Sequence, residues 1–168
     1  GYPRNQVLIS DDIKNIYLDE ENRDRKKIIS FLKKKINGGN KKMIFYMPTF
    51  RESETLFFQN FDRDDFQKFL EENNLLFCIK LHPKSKLNEE FRNIQSENIM
   101  VINKDADPYV FLKMADVLIT DYSSIYFDYL LLDRPIIFFA YDLEEYLNDS
   151  REMYFDYDEF TPGEKVND

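Results

Sequence analysis

The stretch Asp116–Ala140, DVLITDYSSIYFDYLLLDRPIIFFA, decides the fold. Its opening run, Asp116–Thr120, is short and apolar, and it breaks at Asp121-Tyr122-Ser123. Ser124–Leu132 follows as a mostly apolar segment of helical length, and Pro135–Ala140 (PIIFFA) is a second short apolar run. A strand, a turn with small hydroxylated residues, a helix and another strand make a βαβ unit with a parallel pair. Strands covered on both faces read as unbroken apolar runs rather than alternating ones, and both runs here do so.

The same pattern extends upstream. Met43–Met47 (MIFYM), closed by Pro48, reads as a first strand, Leu75–Leu81 (LLFCIKL), closed by His82-Pro83, as a second, and Ile99–Ile102 as a third. Between them, Asp62 caps a helix whose face is Phe66, Phe69 and Leu70 and which ends at Asn73-Asn74. A weaker helix covers 87–95. Asp107-Pro108, a cap followed by proline at the first helical position, opens another through Val110, Phe111 and Met114. The expected fold is α/β: a Rossmann-like, doubly wound, mostly parallel sheet over residues 41–168. Residues 1–40 read as a separate connecting segment. It carries a helix over 22–36 with an apolar stripe (Ile28, Ile29, Phe31, Leu32, Ile36), a basic last turn (Lys33, Lys34, Lys35) and a stop at Gly38-Gly39. The opening Gly1-Tyr2-Pro3-Arg4-Asn5 lacks an initiator Met, as expected of a piece of a longer protein.

Composition removes several function classes. With 43% hydrophobic residues in 168, the chain can bury a core. Lys plus Arg number 23 against 32 Asp plus Glu, a net charge of −9 that argues against a nucleic-acid partner. The single cysteine, Cys78, cannot close an internal disulfide and points to a reducing compartment. No apolar run approaches the roughly 18 residues that span a bilayer. Glycines stand only at 1, 38, 39 and 163, which excludes a Walker A loop and a G-x-G-x-x-G fingerprint.

In open α/β sheets ligands bind beyond the carboxyl ends of the strands. The segments at those ends are Pro48-Thr49-Phe50-Arg51, His82-Pro83-Lys84-Ser85, Asp121-Tyr122-Ser123-Ser124 and Tyr141-Asp142-Leu143-Glu144. A guanidinium beside Thr49, an imidazole beside Lys84 and two hydroxyls opening a helix all suit a phosphate ester. Each has a plainer reading: a serine is a helix cap, Arg51 a surface charge, His82 a satisfied surface histidine. Asp121 is expected to fix its loop. Asp128, four residues after Ser124, orients that serine or pairs with a cation. Asp142, Glu144 and Glu145 read as a solvated acidic helix start, or as a ribose contact. A lone histidine and a lone cysteine argue against a zinc site, and no G-x-S-x-G turn supports a serine triad.

The strings Tyr46-Met47-Pro48-Thr49-Phe50-Arg51, Leu81-His82-Pro83-Lys84 and Ala115–Ile125 closely resemble the CDP-glycerol glycerophosphotransferase family of teichoic acid and capsule synthesis. The resemblance continues through Phe127-Asp128, Arg134–Phe139, Tyr141–Tyr146 and Pro162-Gly163, and so spans essentially the whole chain. It implies a GT-B architecture of two Rossmann-like halves, with this chain the C-terminal one, binding a CDP-linked donor. It further implies donor-phosphate contacts from Arg51, His82, Ser123 and Ser124; the reading of the strand ends adds Thr49 to those contacts, makes Arg51 and His82 catalytic and has Asp121, Asp128 and Lys84 in support. No metal ligand is among these, and any Mg2+ requirement stays open. The family's catalytic base is a histidine on the N-terminal half, which His82, the chain's single histidine, cannot also be. A similar pairing of His-Pro with Ser-Ser binds CMP in some bacterial sialyltransferases, which favours a cytidine nucleotide. Implied partners are CDP-glycerol, a polymer or lipid-linked glycan acceptor and an N-terminal domain of the same protein. The implied location is cytoplasmic, at the inner face of the membrane. Two alternatives stand beside this reading: glycosyl transfer from a CMP-sugar, and a non-catalytic nucleotide-binding module.

Overall fold

A computed structural model describes residues 23–51, 62–94, 96–103, 105–142 and 161–166. Chain order is α1 (Arg23–Gly39), β1 (Lys42–Tyr46), α2 (Arg63–Glu72), β2 (Leu75–Ile79), α3 (Leu87–Arg92), β3 (Ile99–Val101), α4 (Pro108–Met114), β4 (Val117–Thr120), α5 (Ile125–Tyr129), a 3-10 turn (Leu130–Leu132), β5 (Ile136–Phe139) and β6 (Glu164–Val166). Among the described residues the sheet has six strands in the order β3-β2-β1-β4-β5-β6, every neighbouring pair parallel. That is the Rossmann order, reversing direction between β1 and β4.

Alternate residues of each strand serve the two faces. Met43, Phe45, Leu76, Cys78, Leu118 and Phe138 join Leu32 of α1, Val110 and Phe111 of α4, and Tyr126 and Tyr129 of α5 in one core. Tyr46, Phe77 and Ile79 face the other way and pack against Leu70 of α2 and Leu87 and Phe91 of α3. Fully burying each such side chain stabilises the fold by about 1.5–3 kcal/mol, so the runs are apolar throughout because both sides are covered. Leu32, with 0% exposure, places α1 on the sheet itself.

The ends of the elements follow local chemistry. Asp62 accepts from Asp64 N and Asp65 N, and Asp107 from Tyr109 N, so both expected caps form. The first helix runs past its expected stop: Gly38 and Gly39 remain helical, and the left-handed residue is Asn40 (φ 50°), with Lys41 N donating to Ile36 O at 2.9 Å. Lys33–Lys35 therefore lie in the penultimate turns and not in the last. The expected Ser124–Leu132 helix is one short α-helix tightened into a 3-10 turn and ended by Asp133 at φ 52°. The sixth strand, Glu164–Val166, carries no apolar pattern and was not expected; Gly163 admits it to the edge, since a Cβ there would sit 2.5 Å from Ile136 O. Among the described residues no helix is long and apolar enough to cross a membrane.

Candidate active site

The exits of β1 and β4 lie side by side at the point where the strand order reverses, and one buried carboxylate joins them. Met47 N donates to Ile119 O (3.1 Å) and Thr120 Oγ1 to Met47 O (2.8 Å), so the two strands stay paired to their ends. Asp121 follows at 0% exposure. It accepts from Thr49 N (2.9 Å), Thr49 Oγ1 (2.8 Å) and Ser123 N (3.2 Å), which holds both exit loops around one group.

Arg51 completes that arrangement from above. Its Nη1 donates to Asp121 Oδ2 (2.6 Å) and Thr49 O (2.9 Å), its Nη2 to Asp142 Oδ1 (2.8 Å), and its Nε to Asp142 Oδ2. Tyr122 OH donates to Asp142 as well (3.0 Å), and the guanidinium carbon lies 5.5 Å from the Tyr122 ring centre and 4.7 Å from that of Tyr141. Burial alone would lower the Arg51 pKa, but the hydrogen-bonded Asp142 and the charge of Asp121 hold it above its ordinary value. The Tyr122 phenol is pushed up by burial and by the Asp142 charge. A guanidinium with 7% of its side chain exposed, tied to two carboxylates, is an internal strut linking β1, β4 and β5. The sequence reading aimed it at a phosphoryl oxygen; its nitrogens point instead at Asp121, Asp142 and Thr49 O.

The remaining donors face outward. The His82 ring packs on Phe50 with centroids 4.5 Å apart, and its Nδ1 accepts from Lys84 N at 3.2 Å, which leaves Nε2 as the donor toward solvent. The His82–Ser85 turn is pinned from below by Asn88, 9% exposed, whose Nδ2 donates to His82 O (2.8 Å) and Ser85 O (3.2 Å). His82, Thr49, Phe50 and Tyr141 line one shallow crevice. Ser123 Oγ accepts weakly from Ile125 N (3.5 Å) and keeps its hydroxyl hydrogen, while Ser124 is exposed and makes no side-chain cap. Asp128 accepts from Tyr109 OH (3.0 Å), tying α5 to α4 rather than reaching Ser124.

Three site features escaped the sequence reading: Asp142 as the second anchor of Arg51, Tyr122 and Tyr141 as its ring supports, and Asn88 under the histidine turn. The signal for Asp142 was its place just after PIIFFA, at the same sheet edge as Arg51. Its solvated reading does not hold, because Asp142 keeps only 10% exposure beneath the guanidinium. Glu144 and Glu145 lie outside the described residues.

The profile described as CDP-glycerol:poly(glycerophosphate) glycerophosphotransferase matches residues 1–168. A teichoic acid poly(glycerol phosphate) polymerase of Staphylococcus epidermidis is 34% identical over 170 residues, covering 97% of this chain and 22% of the polymerase. A teichoic acid glycerol-phosphate transferase of Staphylococcus aureus is 30% identical, covering 97% of this chain and 40% of that protein. The structure of a histidine-to-asparagine variant of the wall teichoic acid polymerase TagF soaked with CDPG superposes with a TM-score of 0.67 at 29% identity, covering 92% of this chain and 38% of the polymerase. The chain thus spans well under half the length of these relatives. A Rossmann-like sheet with its polar side chains gathered at the strand-order reversal, matched along its full length by one profile, places this chain in the CDP-glycerol:poly(glycerophosphate) glycerophosphotransferase family.

Proposed function

We propose that this chain is the donor-nucleotide half of a transferase. The enzyme moves glycerol phosphate, or a similar alditol phosphate, from a CDP-activated donor to a hydroxyl of a teichoic-acid-type polymer and releases CMP. The observation that carries the reading is the single carboxylate of Asp121 holding the Thr49 and Ser123 loops on either side of the strand-order reversal, where doubly wound sheets bind nucleotides. In this reading His82 Nε2–H and the Ser123 and Ser124 hydroxyls contact the donor diphosphate. Thr49 and Arg51 act as positioning residues, because Asp121 and Asp142 already receive their hydrogen bonds.

The acceptor oxygen attacks the phosphorus bearing glycerol, in line with the departing CMP oxygen. Negative charge then spreads over the equatorial and leaving oxygens, and the site contributes chiefly position and charge stabilisation. A histidine turn pinned by Asn88 and a serine loop pinned by Asp121 hold their donors at fixed places before the substrate arrives. Removing one such donor costs about 3 kcal/mol in the transition state. The general base comes from outside the described residues, on a second Rossmann-like half of a GT-B pair. The working location is the inner face of the membrane.

The test is calorimetric titration of the full-length protein with CMP, CDP-glycerol, UDP and ADP. Selective binding of the two cytidine nucleotides is expected, weakened by His82→Ala. Equal or absent binding of all four overturns the reading.

A further inference from the structure

On the far side of the His82–Ser85 turn lies a second cavity of about 670 Å³, between the exits of β2 and β3 and the start of α3. It shares Leu81 and Ser85 with the crevice that holds His82, so one rigid turn forms the wall between them. Among the described residues its charged lining is Lys84, Lys86, Arg92 and Glu89, three cations against one acid. In a chain of net charge −9 this is a local reversal of sign, and such concave reversals concentrate ligands of the opposite charge. The polar neutral lining is Ser85, Asn88 and Asn103, and the apolar part is Leu81, Pro83 and Val101; among the described residues no aromatic ring lines it on which a base would stack.

The walls are fixed in place. Asn88 ties down the turn that carries Lys84, and Lys80 Nζ donates to Asn103 O (3.0 Å), bracing the β3 exit against β2. The cavity lies on the β3 side of the His82–Ser85 turn, with Pro83, Val101 and Asn103 in its wall.

We infer that this cavity is a subsite for a phosphodiester of the growing alditol-phosphate acceptor, one or more units away from the hydroxyl that reacts. The inference rests on the transferase reading above and names where that reaction holds its polymer. Lys86 and Arg92 provide the charge contacts, and the apolar floor of Leu81, Pro83 and Val101 accommodates the polyol carbons. Both substrates are phosphate esters, so the same cations could serve the donor instead, and the experiment must separate the two.

The full-length protein carrying Lys86→Glu and Arg92→Glu is compared with the parent, using acceptors of one and of eight or more glycerol-phosphate units. Its KM for the long acceptor is expected to rise about tenfold, with KM for CDP-glycerol and for the single-unit acceptor within twofold. The effect should shrink as salt rises. A Lys86→Arg, Arg92→Lys variant should stay near the parent. Equal KM values for short and long acceptors in the charge-reversed variant overturn the subsite. A rise in KM for CDP-glycerol alone assigns the cavity to the donor and also overturns it. A second arm titrates purified poly(glycerol phosphate) into both proteins without donor, and equal affinity again overturns the subsite. Should the parent transfer nothing from CDP-glycerol yet bind the polymer in a way the reversal abolishes, the transferase reading fails while the phosphodiester site stands.

Discussion

Two aspartates five residues apart flank the same pair of strands and do opposite work. Asp116, at the start of β4, accepts from Met43 N (2.8 Å), returns a backbone bond to Met43 O, and pairs with Lys42 at 3.5 Å, with the two side chains 39% and 73% exposed. Asp121, just beyond the end of β4, accepts from Thr49 and Ser123 and pairs with Arg51 at 2.6 Å, with exposures of 0% and 7%. At the amino edge water already solvates both charges, so the pair adds little and the backbone bond does the joining. At the carboxyl edge Asp121 and Arg51 are buried from water, and each charge depends on the other. The difference is what a site requires: loops held in one geometry by groups that lose heavily if any of them moves.

Asp121→Ala should produce the largest effect. It strips the acceptor from Thr49 N, Thr49 Oγ1, Ser123 N and Arg51 together, and a loss of about 3–5 kcal/mol is expected in denaturant unfolding. Transfer by the full-length enzyme should fall with it. A loss no greater than that of Asp116→Ala would erase the contrast between the edges.

Arg51→Met comes next, at about 3 kcal/mol, because Asp121 and Asp142 are left facing each other without the cation. Arg51→Lys should recover less than half of that, since one ammonium cannot bridge two carboxylates as a fork does. Full recovery by lysine would mean that charge alone, and not the fork, matters there. Donor kinetics should also separate the roles: losing a positioning Arg51 lowers kcat more than it raises donor KM, whereas losing a direct phosphate contact raises donor KM at least as much as it lowers kcat.

Gly163→Ala probes the amino edge by shape instead of charge. The added methyl would meet Ile136 O at 2.5 Å and the Phe138 ring at 2.8 Å, for a cost of about 1–3 kcal/mol read from thermal unfolding. An unchanged melting temperature would show that β6 gives way freely. The smallest effect belongs to Lys42→Ala, within about 0.5 kcal/mol and diminishing with salt. A cost comparable to that of Arg51→Met would remove the distinction drawn between exposed and buried pairs.

The five apolar strands and the caps at Asp62 and Asp107 were legible because burial on both faces demands runs such as MIFYM and PIIFFA, and helix starts demand short polar acceptors. Pro48-Thr49-Phe50-Arg51, His82-Pro83 and Ser123-Ser124 were legible as strand-end segments for the same reason. The edge strand Glu164–Val166 was not, since it is covered on neither the pattern nor the composition that marks its neighbours, and only its pairing with β5 makes it a strand. The end of α1 shifted to Asn40 because Gly38 and Gly39 tolerate helical backbone as readily as a left-handed turn, and the hydrogen bond from Lys41 N to Ile36 O decided between them.

Sequence by itself determined the alternation of buried runs and helices, and hence a parallel sheet with its polar exits on one edge, because periodicity and capping are properties of neighbours along the chain. The direction of the Arg51 guanidinium was decided only in three dimensions. Asp121 and Asp142 lie 70 and 91 residues away from it, and nothing local tells a fork that two carboxylates await it where water does not reach.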